Sequence, residues 1–70
     1  MDTRGGFMEQ IRIFGTIRVR DQNGIVKWER SGEDIFIKIV GERVIIEHES
    51  GRKIDRYIPS MFESVEVNEF

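Results

Sequence analysis

Residues 11–20 read IRIFGTIRVR, and the period-two alternation of this stretch decides the fold class. Ile11, Ile13, Gly15, Ile17 and Val19 form one side of an extended strand; Arg12, Phe14, Thr16, Arg18 and Arg20 form the other. Successive strand side chains point to opposite faces, so the segment offers one apolar face to a core and one polar face to water. Phe14 is the exception on the polar side. Gly15 next to it supplies one explanation, because a glycine inside a strand often marks a bulge or a sharp bend. A bulge at Phe14-Gly15 shifts the register, turns Phe14 into the core and leaves the arginines as a solvated face, and this is the outcome expected.

The composition agrees with a β reading. The chain has eleven isoleucines and six valines but neither leucine nor alanine among its 70 residues. Alanine and leucine head the helix scale, whereas β-branched residues are stiff at χ1 and suit a pleated surface. Turn signals recur at roughly ten-residue intervals, as in small antiparallel barrels and sandwiches. They are DQNG at residues 21–24, SGED at 31–34, Gly41-Glu42 and Ser50-Gly51. Asn23-Gly24 predicts a two-residue hairpin of type I′. Strands are expected over residues 10–20, 25–30, 35–40, 43–49, 52–58 and 64–67. Pro59 stops the fifth of these, because it has no N–H for a ladder. Ser60 and Glu63 then have capping-box spacing, which predicts one helical turn over 60–63 before Val65 and Val67 return to the core.

The fold class expected is therefore all-β: a small antiparallel barrel or strongly bent sheet of five to six strands with one short helical turn near residues 60–63. It forms a single domain over residues 9–70, after a flexible leader over 1–8 that contains Gly5-Gly6. At this size folding buries only about 60% of the surface of the unfolded chain, so the core is thin. With no cysteine, disulfides and thiolate metal sites do not apply, and packing or self-association is left to support the fold. No run is long enough to cross a membrane and the N-terminal residues lack a signal-peptide core, so a cytoplasmic chain without membrane contact is expected. Abundant isoleucine, arginine and glutamate would suit a thermophile.

The segment GERVIIEHESGRKIDRYIPSMFESVEV, residues 41–67, resembles the closing strands of two kinds of small domain. In Src-homology-type small barrels an Ile-Pro-Ser element leads through a 3₁₀ turn into the last strand. Bacterial pleckstrin-homology-like domains show a similar strand–turn–strand–Pro pattern. The resemblance implies a small meandering barrel. The chain lacks the acidic-aromatic opening motif of the first family and the long C-terminal helix of the second, so neither ligand site is carried over.

Enzymatic chemistry finds little footing, and no cofactor is expected. Glu47 and Glu49 flank the sole histidine, but on a strand they face away from His48, so the three do not converge on a metal. Apart from Gly15, the glycines sit at turns or in the leader, and the seven form no phosphate loop. Residues 35–49 carry more apolar surface than one thin core needs: Ile35, Ile37 and Ile39 face one way, Phe36 and Val40 the other, and Ile45 opposes Val44 and Ile46. Strands apolar on both faces are either covered twice or lie at an interface. A non-catalytic binding or assembly module is expected, associating with itself or with a protein partner through Phe36, Val40 and Ile45.

The alternative draws on Phe14 again. If the Asn-Gly hairpin places Trp28 on the face of the arginines, then Arg12, Phe14, Arg18, Arg20 and Trp28, with Arg30 nearby, make an aromatic platform in a basic field. Such a face suits single-stranded nucleic acid, whose bases stack on rings while guanidinium groups follow the phosphates. The whole chain has a net charge of −2, with +2 on residues 1–30 (six Lys/Arg, four Asp/Glu) and −4 on residues 31–70 (five and nine), which disfavours wrapping duplex DNA but leaves room for a local basic face.

Overall fold

The computed structural model describes residues 8–70 and is all-β, with five antiparallel strands in one sheet and no helix among the described residues. The strands are β1 (Met8–Arg20), β2 (Val26–Val40), β3 (Arg43–Ser50), β4 (Lys53–Tyr57) and β5 (Ser64–Glu69). Their spatial order is β4-β3-β2-β1-β5, and β4 and β5 form no ladder with each other. The leader expected over 1–8 lies outside the described residues except for Met8, which opens β1.

β2 joins two strands that the turn signal at residues 31–34 had separated. Ile13 pairs with Ile35 and Gly15 with Gly32, so two steps along β1 match three along β2. The extra residue is a bulge in β2, and Gly32 carries a φ of 141°, a conformation that L side chains rarely adopt. A second extra residue falls at Lys27, between the pairs Val19–Trp28 and Arg20–Val26.

Because both irregularities belong to β2, β1 keeps its alternation. Ile13, Gly15, Ile17 and Val19 are all buried, while Phe14 is 55% exposed. The expectation that a bulge at Phe14-Gly15 would turn Phe14 inward is overturned: the bulge lies across the ladder, where it bends the partner strand. Gly15 is needed for another reason, since β5 passes very close to it.

The bend has a measurable consequence. Tyr57 lies opposite Ile46, and Ile46 opposite Ile37, nine residues after Trp28. On a flat sheet nine residues would separate Trp28 from that row by about 30 Å. Instead the Trp28 and Tyr57 rings stack with centroids 5.7 Å apart. Arg30 Nε likewise reaches Asp55 Oδ2 of β4 at 2.9 Å. The sheet therefore curls over its apolar face, around a core of Ile13, Ile17, Val19, Ile35 and Ile46 with Trp28, Ile37, Val44 and Tyr57 packed against it.

Two local expectations change. The hairpin at residues 21–25 is not type I′, because among the described residues only glycines have positive φ, and Asn23 therefore does not. Asp21 organises it instead: its Oδ1 accepts from the Asn23 and Ile25 amides at 2.9 and 3.0 Å, its carbonyl accepts from Gly24 N, and Gly24 alone takes the positive φ. Val65 and Val67 lie opposite Val19 and Ile17 on the core face, yet each stays more than a third exposed on β5, an edge strand of the sheet.

Candidate interaction surfaces

On the face away from the core, β1 displays Arg12, Phe14, Thr16, Arg18 and Arg20 in a row. Trp28 is not with them. It pairs directly with Val19 and so lies on the core face, half-buried, with the Arg30 guanidinium 4.6 Å from its ring centroid. The five residues of the alternative aromatic–arginine platform are thus split between the two faces, because the extra residue at Lys27 sets which side Trp28 takes.

The arginines of the row are not free cations. Arg12 Nη2 meets Asp34 Oδ1 at 2.8 Å, and Arg18 Nη2 meets Glu29 Oε2 at 2.6 Å. Arg20 Nε lies 3.3 Å from Glu66 Oε1, and Arg18 Nη1 lies 3.6 Å from Glu66 Oε2. Glu66 is held below the ordinary carboxylate range, first by the Asn68 amide and then by Arg20. Three cations facing three carboxylates leave little net field for phosphate. Phe14 has its own partner, the Phe70 ring, edge-on with centroids 5.2 Å apart.

Phe36, Val40 and Ile45 do share a face, the one opposite the core, since Phe36 pairs with Glu47 and Lys38 with Ile45. A buried acid lies among them. Glu47 is only 5% exposed, with Lys38 Nζ and Arg56 Nη2 each 2.9 Å from its carboxylate and Arg56 Nε at 3.0 Å. The hydrogen bond from Lys38, followed by that from Arg56, lowers its pKa against the opposing effect of burial. Phe36 and Ile45 are half-buried, whereas Val40 is exposed. Burial of Glu47 was not legible from EHE alone, because Lys38 and Arg56 come from two other strands. His48 is half-buried on the core face, between Ile35 and Asp55 in register, and among the described residues no three His, Cys, Asp or Glu side chains gather as metal ligands.

A groove of about 800 Å³ opens where the β2–β3 turn faces the β4–β5 connection. Val40, Val44, Ile58, Pro59, Met61 and Val65 line it, with the charged residues Glu42, Arg43 and Glu63 in its walls. The connection beside it is firmly built. Ser60 N donates to Glu63 Oε1 at 2.9 Å, Phe62 N to Ser60 Oγ at 3.2 Å, and Glu63 N to the Ser60 carbonyl at 3.1 Å. Tyr57 OH donates to Glu63 Oε2 at 2.8 Å. These bonds lower the Glu63 pKa, the Ser60 amide first, and raise that of Tyr57. The turn nevertheless leaves Met61 86% and Phe62 68% exposed. The structure shows a hydrogen-bonded turn here and no helix, and the sequence did not reveal what the turn displays.

Set against known proteins, the sequence matches no family model, and no curated protein or solved structure matches it. Among the described residues, no helix is long and apolar enough to cross a membrane.

Proposed function

We propose that this chain is a non-catalytic assembly module that associates with copies of itself. One observation carries the reading: among the described residues, five apolar side chains are buried in the core, while twelve large ones are more than a third exposed. Burying apolar area is worth about 25 cal/mol per Å², and a specific interface takes about 800 Å² from each partner. In the β2–β3 hairpin the contact centres on Val40, the most open of Phe36, Val40 and Ile45; the other two pack beside the Lys38–Glu47–Arg56 cluster. The basic face of β1 has no comparable support, since its arginines meet carboxylates.

The architecture proposed with this function is a small barrel left open between β4 and β5. The Trp28–Tyr57 stack and the Arg30–Asp55 pair across the core face support it, as does the resemblance of residues 41–67 to closing strands of small barrels. The hydrogen bonds among residues 60–63 support a single helical turn at the entrance to β5. Sedimentation equilibrium tests the function. Masses at multiples of 8.3 kDa that fall on dilution are expected, and Val40→Glu should shift them toward the monomer. A chain that remains monomeric up to millimolar concentration would defeat the reading.

A further inference from the structure

The inference here rests on the assembly reading and gives it a location. We infer that the groove between the β2–β3 turn and the β4–β5 connection, with the Met61-Phe62 turn beside it, is a two-fold interface in which Phe62 of each copy enters the groove of the other.

Three features point to a second copy as the occupant. The first is the relation of knob to hole. Met61 is a wall of the groove, and its neighbour Phe62 is not, so a pocket and a projecting aromatic ring sit side by side on one patch. A two-fold contact uses the same patch on both partners, and therefore needs both shapes next to its axis.

The second is preorganisation. The Ser60, Glu63 and Tyr57 bonds hold the turn before any partner arrives, so little ordering is left for binding. A rigidly displayed aromatic beside an apolar groove is the arrangement that dominates binding energy at interfaces.

The third is charge. Glu42 and Arg43 are adjacent and exposed in the groove wall, and neither makes an ion pair with another described residue. Across a two-fold axis Glu42 of one copy meets Arg43 of the other, and the reciprocal pair forms at the same time. An acid next to a base is self-complementary in this way.

The test uses the full chain in sedimentation equilibrium, with circular dichroism to confirm folding. Phe62 and Met61 are exposed, so Phe62→Glu and Met61→Glu remove no core contact. The wild-type chain should form a dimer, and each variant should weaken it by about thirtyfold or more, the loss expected of a central anchor. Glu42→Arg and Arg43→Glu should each weaken it about tenfold on their own, and mixing the two variants should restore a dimer, because all four charges are then opposed.

The failures are distinguishable. A wild-type chain that never associates overturns both the assembly reading and this interface. A wild-type oligomer whose mass is unchanged by Phe62→Glu and Met61→Glu overturns the interface alone. A mixture of the charge variants that stays monomeric overturns the two-fold pairing.

Discussion

Gly15 of β1 lies opposite Glu69 of β5, so close that a methyl group on Gly15 would overlap the Asn68 carbonyl oxygen and sit 2.7 Å from the Glu69 Cα. The atoms in the way are backbone, which cannot step aside as a flexible side chain can. Gly15→Ala is therefore expected to lose about 1–3 kcal/mol, the usual range for overpacking, and to loosen β5 first. Urea denaturation measures the loss, and hydrogen exchange at the β5 amides reports its place. A variant with the wild-type midpoint would mean that β5 does not ride this close to β1.

Gly32→Ala should be costly for a different reason. A Cβ there would find its nearest neighbour, His48 Nε2, at 3.7 Å, which is ordinary contact, so space is not the obstacle. The obstacle is a φ of 141°, which costs a residue with a side chain about 1–3 kcal/mol. Since this residue bends β2, relief of the strain should also uncurl the sheet and expose Trp28, seen as a red shift in its emission. Full stability in Gly32→Ala would show that the bulge is not where the bend originates.

Glu47 makes stability depend on acid. Its carboxyl titrates below the ordinary glutamate value in the folded chain, so the stability it contributes is fully present above about pH 4.5 and is lost as the pH falls through the lower native value. Glu47→Gln should cost about 1–3 kcal/mol near neutral pH and flatten the acid limb of the stability profile. Denaturation midpoints between pH 3 and 7 (about the carboxylate range) check this. An acid limb as steep in Glu47→Gln as in the wild type would place the sensitivity in other carboxylates.

Trp28 reports on which face carries function. It stacks on Tyr57 and lies under Arg30, so Tyr57→Ala should shift its emission to longer wavelength and remove about 0.5–1.5 kcal/mol beyond the lost area. Single-stranded oligonucleotides should leave the emission unchanged, because the ring lies on the core side of the sheet. A saturable quench that weakens with salt and disappears in Arg18→Glu would instead support a nucleic-acid face on β1.

Much of the architecture was legible from residues 11–20 and from the excess of isoleucine and valine. The alternation named Ile11, Ile13, Ile17 and Val19 as one side of a strand; Ile13, Ile17 and Val19 are buried, while Ile11, near the start of β1, is 50% exposed. The opposition of Ile35, Ile37 and Ile39 to Phe36 and Val40 also holds, since alternation is a property of each strand by itself. The candidate surfaces were less legible. The alternative that set Trp28 beside Arg18 on one face required an even register through the first hairpin, and one extra residue in β2 separates them.

By itself, then, the sequence determined what each short stretch can decide locally: extended backbone, the two faces of each strand, and breaks in the ladder at glycine and proline. Tertiary structure decided the rest. Whether residues 31–34 turn the chain or only bulge depends on β1 running unbroken opposite them, and burial of Glu47 depends on Lys38 and Arg56 arriving from neighbouring strands. The stacking of Trp28 on Tyr57 depends on a bend that no single strand encodes. Register couples residues distant along the chain, and a shift of one residue exchanges the faces of a strand; that coupling exists only once the strands are paired.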